Sequence, residues 1–199
     1  DATVAGLAAG LIASGRCPVA DGCERAKRLE VRIGDQVELA LVDVAVVDAT
    51  DVGARAIWEP DALREIVVTL AEPGAIGLSA IAAAVAPCSR LDTQGRHLVL
   101  GTSGRPVLAP IAPGLMRSVG VVEVIPLDPH EPYHLRSISG VLALDGEREV
   151  LLSGEAPPLV TLSLDGPLVI DVPTVLRLAA ERGWFAGAGS VSAPTPEAG

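Results

Sequence analysis

The chain has 199 residues, of which 49% are hydrophobic, and a formal net charge of -10. This length supports one sizeable core, or one large and one small domain. The chain contains a single lysine and no long basic stretch, which argues against nucleic acid and anionic membrane surfaces as partners. No apolar run reaches the roughly 18 residues that a transmembrane helix needs, so no membrane span is expected.

The first predicted element is a helix over residues 2–14, where apolar residues recur at helical spacing and Gly15 ends the pattern. A later run, 36–48, is apolar at nearly every position and predicts one long strand that is buried on both faces. Asp43 lies inside this run, where a charge requires a partner or a function. The other elements predicted before Pro87 are a strand at 28–33, a short helix at 60–65, a strand at 66–70 and a small-residue helix at 77–85.

After Pro87 the pattern becomes almost wholly β, and strands are expected to dominate residues 90–172. Turn signals such as Asp145-Gly146 recur at roughly regular intervals between short apolar runs. A final helix is expected at 173–182, and the fold class is mainly β and sandwich-like, with a few short helices near the two ends of the chain. The predicted strands are 96–101, 105–111, 118–125, 135–144, 147–152, 159–164 and 167–171.

These elements predict one β-rich lobe over residues 1–185 and a disordered tail over 186–199, which is rich in Gly, Ala, Ser and Pro. The first residue is Asp rather than Met, so the chain is expected to begin inside a longer protein. The three cysteines are expected to be free thiols in a reducing cytoplasm, with a Cys17–Cys23 disulfide as the alternative.

The string His130-Glu131-Pro132-Tyr133-His134 matches the H-E-x-x-H pattern of zinc proteases. That pattern binds zinc only when a helix places both histidines on one face. Proline inside the motif removes a helical hydrogen bond and clashes with the preceding turn. The string therefore predicts an exposed proline-rich loop, and no metal is expected.

Two other strings are the best candidates for a functional site. Asp145, Glu147, Arg148 and Glu149 follow the end of an apolar strand, where a tight turn fixes the position of charged side chains. The alternative without a functional role is a solvated hairpin tip in which Arg148 pairs with a carboxylate. The string Thr69 to Ile81 is rich in small residues that permit close approach of a ligand or of a neighbouring strand. Its bland alternative is tight internal packing.

Both strings resemble sequence motifs of the NAD kinase-like family, in particular those of its acetoin-catabolism X branch. That branch carries a Thr-x-Ala-Glu-Pro-x-x-Ile-Gly-Leu-Ser-Ala-Ile string like Thr69 to Ile81, and an Ala-Leu-Asp-Gly-Glu-Arg-Glu string like Ala143 to Glu149. Two further strings agree in the same order over residues 42–185. They are Gly53-Ala54-Arg55-Ala56-Ile57-Trp58 and the Ala-Pro-Ile-Ala-Pro-Gly turn from Ala109 to Gly114.

The resemblance implies an all-β C-terminal lobe that binds NAD and forms a homo-oligomer. In the family, an N-terminal α/β lobe carries a GGDGT motif that handles ATP phosphates and supplies the catalytic aspartate. This chain has no GGDGT. The resemblance therefore implies that it holds no catalytic residue, that ATP and Mg bind only with the missing lobe, and that the isolated chain is inactive. The helix at 2–14 is the expected link to that lobe.

The expected function is the NAD(H)-binding and oligomerisation lobe of a cytoplasmic phosphotransferase that phosphorylates NAD. The alternative is a non-catalytic binding or oligomerisation module related to acetoin catabolism. The sequence also departs from true NAD kinases, since Ile76 stands where their tyrosine stacks on the dinucleotide. The dinucleotide-binding residues implied by the resemblance are Thr69, Ala71, Glu72, Gly77, Ser79, Asp145, Gly146, Glu147 and Arg148.

Overall fold

A computed structural model describes residues 2–48 and 60–185. The tail predicted over 186–199 and the string Gly53 to Trp58 lie outside the described residues. The chain divides into two compact units. One consists of the residues up to Arg25 and those from Leu168 onward, and the other is the continuous stretch Ala26–Pro167. The single lobe over residues 1–185 stays a prediction.

The first unit contains three helices and a short antiparallel strand pair. Ala8, Leu11 and Val175 are buried together in its core. A Cβ on Gly22 would lie 2.6 Å from a methyl group of Val175, so this contact requires glycine. Asp171 caps the last helix by accepting a hydrogen bond from the Thr174 N–H at 3.3 Å. The elements are α1 (Ala2–Ala13), α2 (Val19–Gly22), β1 (Cys23–Arg25), β12 (Leu168–Ile170) and α4 (Val172–Glu181).

The second unit is built from two antiparallel sheets and one short helix. In chain order, its first strands are β2 (Arg28–Ile33), β3 (Gln36–Ala40), β4 (Asp43–Val47), β5 (Leu63–Val68), β6 (Gly95–Ala112) and β7 (Leu115–Leu127). Its other elements are α3 (Ser79–Ala83), β8 (Pro132–His134), β9 (Ser139–Leu144), β10 (Arg148–Ser153) and β11 (Leu159–Ser163). The six-stranded sheet has the order β10-β9-β4-β5-β6-β7, and the four-stranded sheet has the order β3-β2-β11-β8.

One buried cluster joins the two sheets. Leu29 and Val160 come from the four-stranded sheet, and Val44, Leu142 and Leu144 come from the six-stranded sheet. Side chains from two facing sheets that share one core define a sandwich, because each sheet buries alternate residues against the other. The expected mainly β, sandwich-like class is confirmed. No helix within residues 2–48 and 60–185 has the length and hydropathy that crossing a membrane requires.

Most of the predicted helices and strands are present, although α2, β1 and β8 were not predicted and the predicted helix 77–85 is only Ser79–Ala83. The run 36–48 is two strands rather than one, because the chain turns at Leu41 and Val42 and the halves enter different sheets. The predicted helix at 60–65 is only a 3-10 turn, Pro60–Ala62, followed at once by β5. The predicted strands 96–101 and 105–111 form one bulged strand, and the predicted strand 135–144 begins only at Ser139.

The H-E-x-x-H string lies on a turn and a strand. His130 has a φ of 65°, and Pro132–His134 is the edge strand β8. The two histidines therefore do not share a helix face, as the internal proline predicted, although a strand replaces the expected loop. The cysteines Cys17, Cys23 and Cys88 are free thiols.

Candidate binding site at one end of the six-stranded sheet

Three strands of the six-stranded sheet, β4, β5 and β9, begin or end at the same end of the sheet. Asp43 starts β4 and lies opposite Val68, the last residue of β5. Val44 lies opposite Leu144, the last residue of β9. The antiparallel register therefore places Asp43, Thr69 and Asp145 together at one end of the sheet. The two strings singled out in the sequence meet here.

Asp145 binds the turn between β3 and β4 through its carboxylate. One oxygen, Oδ1, accepts hydrogen bonds from the N–H groups of Leu41, Val42 and Asp43 at 3.0, 2.7 and 3.2 Å. The other oxygen accepts from the N–H of Leu41 at 2.9 Å. Three consecutive N–H groups around one carboxylate form a strong, charge-assisted set of hydrogen bonds.

Thr69 binds the same turn from its carbonyl side. Its hydroxyl donates to the carbonyl oxygen of Leu41 at 2.7 Å, and its own N–H donates to the carbonyl oxygen of Val42 at 2.9 Å. Thr69 is fully buried. The N–H groups of the turn are thus held by Asp145 and its carbonyl groups by Thr69, which explains why the apolar run 36–48 bends here.

The hairpin after β9 aims Asp145 at this turn. Asp145 and Gly146 have φ values of 53° and 66°, and the Glu147 N–H donates to the Leu144 carbonyl oxygen at 3.0 Å. Positive φ at both central residues defines a type I′ turn, which favours Asp-Gly. The carboxylate of Asp145 bonds to residues 41–43 because its side chain points away from the hairpin.

Arg148 extends the same set of contacts. Its guanidinium donates to the Glu38 carboxylate at 2.7 Å and to the carbonyl oxygen of Leu39, both on β3. Arg148 remains about half exposed, so this pair contributes little stability by itself. Glu147 is exposed and makes no side-chain contact that the described residues reveal.

Asp43 differs from its neighbours because no hydrogen bond satisfies its carboxyl group among the described residues. Burial, and secondly the nearby Asp145, raise the pKa of Asp43 to about 6. A partly exposed carboxyl of this kind can exchange a proton with a ligand near neutral pH. Sequence analysis noted Asp43 as a charge inside an apolar run but did not place it among the site residues.

The remaining predicted residues lie on the loop that leaves this end of the sheet. Ala71 is held by two backbone hydrogen bonds with Cys88, at 2.8 and 3.0 Å, and the Gly77 N–H donates to the Pro110 carbonyl oxygen at 2.9 Å. Between these anchors the loop carries Glu72, whose carboxylate lies 3.8 Å from Arg90. Ser79 is the first residue of α3, and the residue at the N-cap of this helix is Leu78. Between the anchors at Ala71 and Gly77, the Ala75 N–H donates to the Glu72 carbonyl oxygen at 3.0 Å, and Pro73, Gly74 and Ile76 are exposed.

Two buried polar groups were missed by sequence reasoning. Glu65 is buried in β5 and accepts hydrogen bonds from His97, from the N–H groups of Arg136 and Ser137, and from the Ser137 hydroxyl, all at 2.7–3.0 Å. Lys27 donates to three backbone carbonyl oxygens at 2.8–3.1 Å. Burial lowers the pKa of Lys27. The only signals were a glutamate in an apolar run and the fact that Lys27 is the sole lysine.

These features define a class of protein: a mainly β domain of two facing sheets, with a rigid polar turn and an exposed loop at one sheet end. Among the described residues, no three His, Cys, Asp or Glu side chains are grouped to hold a metal ion.

The family model of the acetoin catabolism protein X C-terminal domain matches residues 27–165. This chain belongs to that family. The matched range agrees closely with the second compact unit, Ala26–Pro167. The chain is also 39% identical over 185 residues to acetoin catabolism protein X of Cupriavidus necator. The matched region covers 89% of this chain and 52% of that protein. It thus spans about half the length of this relative.

Proposed function

We propose that this chain is the acceptor-binding lobe of an NAD kinase-like phosphotransferase, and that NAD(H) binds at the sheet end formed by Asp43, Thr69 and Asp145. The observation that carries the proposal is the meeting of the two sequence strings around one turn. Residues that lie far apart in the chain converge here on a rigid frame, as the positioning of a ligand demands.

In this proposal the predicted residues have different roles. Thr69, Asp145 and Arg148 use their polar atoms on the protein itself, so they shape the site rather than line it. The groups proposed for a ligand are the carboxyl of Asp43 and the exposed loop after Ala71, in which the Glu72 carboxylate lies 3.8 Å from Arg90 and remains about half exposed. Glu72 follows Thr69 by three residues, so at most about 11 Å of chain separates them.

In a longer protein, phosphoryl transfer needs positioning and charge stabilisation around the phosphates rather than covalent chemistry in this lobe. The carboxylates at the sheet end suit hydroxyl groups of the acceptor, since an ionised carboxylate accepts hydrogen bonds from them. Donor binding, with ATP and Mg, belongs in this proposal to chain beyond these residues. The isolated chain is therefore expected to bind NAD without phosphorylating it.

The test is a calorimetric titration of the chain with NAD. Saturable binding in the micromolar to roughly millimolar range is expected. Asp43→Asn and Glu72→Gln should each weaken it about tenfold, the scale of one hydrogen bond to a charged group. Asp48→Asn is the matched control, because Asp48 follows the opposite end of the same strand and pairs with exposed Arg64 at 2.6 Å. An affinity unchanged in all three variants contradicts the proposed site.

A second candidate is a non-catalytic oligomerisation module. It is favoured by β7, an edge strand that carries the exposed apolar residues Met116, Val122 and Val124. Exposed apolar edge strands pair readily with another strand. Sedimentation velocity distinguishes the candidates: an oligomer that dissociates in Val122→Lys, together with no heat on addition of NAD, favours the module.

A further inference from the structure

The turn at Leu41 and Val42 is the most heavily bonded short segment at the sheet end, yet its side chains are not part of the core. Leu41 is 44% exposed and Val42 is 43% exposed. Apolar burial therefore does not hold this turn. Its backbone is fixed by four hydrogen bonds to the carboxylate of Asp145 and by two from Thr69 that are shorter than 3.0 Å.

The residue that directly follows this turn is Asp43, the first residue of β4. One of the four hydrogen bonds to Asp145 comes from the N–H of Asp43, at 3.2 Å, and the Asp43 carbonyl oxygen accepts from the Asp145 N–H at 2.9 Å. The backbone of Asp43 is thereby fixed from both sides. Its carboxyl group stays beside the carboxylate of Asp145, a placement that repulsion between the two charges disfavours.

We propose that Thr69 and Asp145 are positioning residues, which hold the Leu41–Val42 turn so that the carboxyl group of Asp43 stays at the sheet end and meets the ligand, while neither of them touches it. This inference rests on the proposed function for the identity of the ligand, but the positioning itself is independent of it. It explains why the two sequence strings meet although the polar atoms of Thr69 and Asp145 are bonded within the protein.

The decisive variant is Thr69→Val, because it removes the hydroxyl without changing shape or charge near Asp43. Thr69→Ser keeps the hydroxyl and serves as the rescue variant. Thr161→Val is the matched control, since Thr161 is a partly buried strand residue of the four-stranded sheet. Asp145→Asn adds a second route, in which the carboxylate loses its charge but keeps its shape.

The first measurement needs no ligand. Carbon-detected NMR titration follows the carboxyl group of Asp43, and hydrogen exchange follows the N–H groups of Leu41 and Val42. We expect Thr69→Val to shift the Asp43 midpoint downward and to speed exchange of both N–H groups about tenfold, the value of one lost hydrogen bond. Asp145→Asn should speed exchange further. Thr69→Ser and Thr161→Val should behave as the unmodified chain.

The second measurement is NAD binding by the same variants. Thr69→Val should weaken binding about tenfold, and Thr69→Ser should restore it to within about threefold. The outcomes separate the two proposals. An unaltered Asp43 midpoint and unaltered exchange in Thr69→Val overturn the positioning role. Altered exchange and midpoint without any binding of NAD to the unmodified chain support positioning and reject NAD as the ligand.

Discussion

Two carboxyl groups of the six-stranded sheet, Glu65 in the middle and Asp43 at the end, are held in opposite ways. Burial alone would raise the pKa of Glu65, but hydrogen bonds from His97, Arg136 and Ser137 lower it to about 2. Burial raises the pKa of Asp43 to about 6, and the neighbouring Asp145 acts in the same direction. A buried carboxylate that serves the fold is saturated with donors, whereas one left without donors keeps its capacity for a ligand.

The largest expected effect on stability is that of removing the Glu65 carboxylate, which tests whether this group is structural. Glu65→Ala leaves His97 and the N–H groups of Arg136 and Ser137 without their acceptor, so we expect a loss of about 3–5 kcal/mol in the free energy of unfolding. Chemical denaturation measures it. Glu123→Ala is the control, because exposed Glu123 pairs with the side chain of Arg136 and should cost no more than about 1 kcal/mol. Equal costs would show that Glu65 is not structural.

The next effect concerns Asp43 and depends on pH. The folded-state pKa of about 6 lies above the usual aspartate value of 3.8, so folding favours the protonated carboxyl. Stability contributed by that proton is present below about pH 4 and is lost as the pH rises through 6. Asp43→Asn is permanently neutral. It should therefore be more stable than the unmodified chain by about 1–3 kcal/mol at pH 7.5, and equally stable near pH 4.

The contribution of Glu65 to folding stability changes with pH in the opposite direction to that of Asp43. The pKa of Glu65 lies below its usual value of 4.5, so its contribution is complete above that pH and is lost as the pH falls toward 2. Stability measured from pH 2 to 8 should rise and then fall in the unmodified chain. In Asp43→Asn the fall above pH 4 should shrink, and an unchanged slope there would contradict the assignment to Asp43.

A smaller effect is expected at the hairpin that aims Asp145. Gly146→Ala places a side chain at a φ of 66°, which should cost about 1 kcal/mol. Gly10→Ala is the opposite control, since Gly10 lies within α1 with open space around it and alanine favours helices. Thermal melts should therefore move in opposite directions for the two variants. A gain for both would show that the turn is not strained.

The smallest effect is expected at the rim of the sheet end. Arg148→Ala removes an ion pair with Glu38 that is about half exposed, so we expect a loss below about 1 kcal/mol that shrinks with added salt. Arg177→Ala, in the exposed helix pair with Glu181, should behave alike. A salt-independent loss at Arg148 above 2 kcal/mol would mean that the contact with β3 belongs to the core.

Local patterns predicted most of the fold, because strand and turn signals are written in neighbouring residues. The hairpins after Leu144 and around Gly114 follow from Asp-Gly and Pro-Gly dipeptides. The break at Leu41 could not be predicted in this way, because its cause, the carboxylate of Asp145, lies 104 residues along the chain. The apolar run 36–48 predicts burial, but the turn within it depends on hydrogen bonds to the distant carboxylate of Asp145.

The candidate site was predicted in part for the same reason. Thr69 and Asp145 were identified by resemblance, but their use of polar atoms within the protein depends on strand register. Asp43 was noticeable as a charge in an apolar run, whereas Glu65 looked similar in kind and serves the fold. What separates the two carboxyl groups is the number of donors around them, and those donors come from 32 to 72 residues away.

The contacts at the sheet end also set an order for folding. β6 and β7 are joined by a short turn at Gly114 and can pair as a local hairpin soon after collapse. The Leu41–Val42 turn must wait for Asp145, which closes a loop of about a hundred residues and carries a large entropic cost. The region proposed to receive the ligand is therefore expected to acquire its native backbone after the β6–β7 hairpin has formed, and to lose it before that hairpin when the protein begins to unfold.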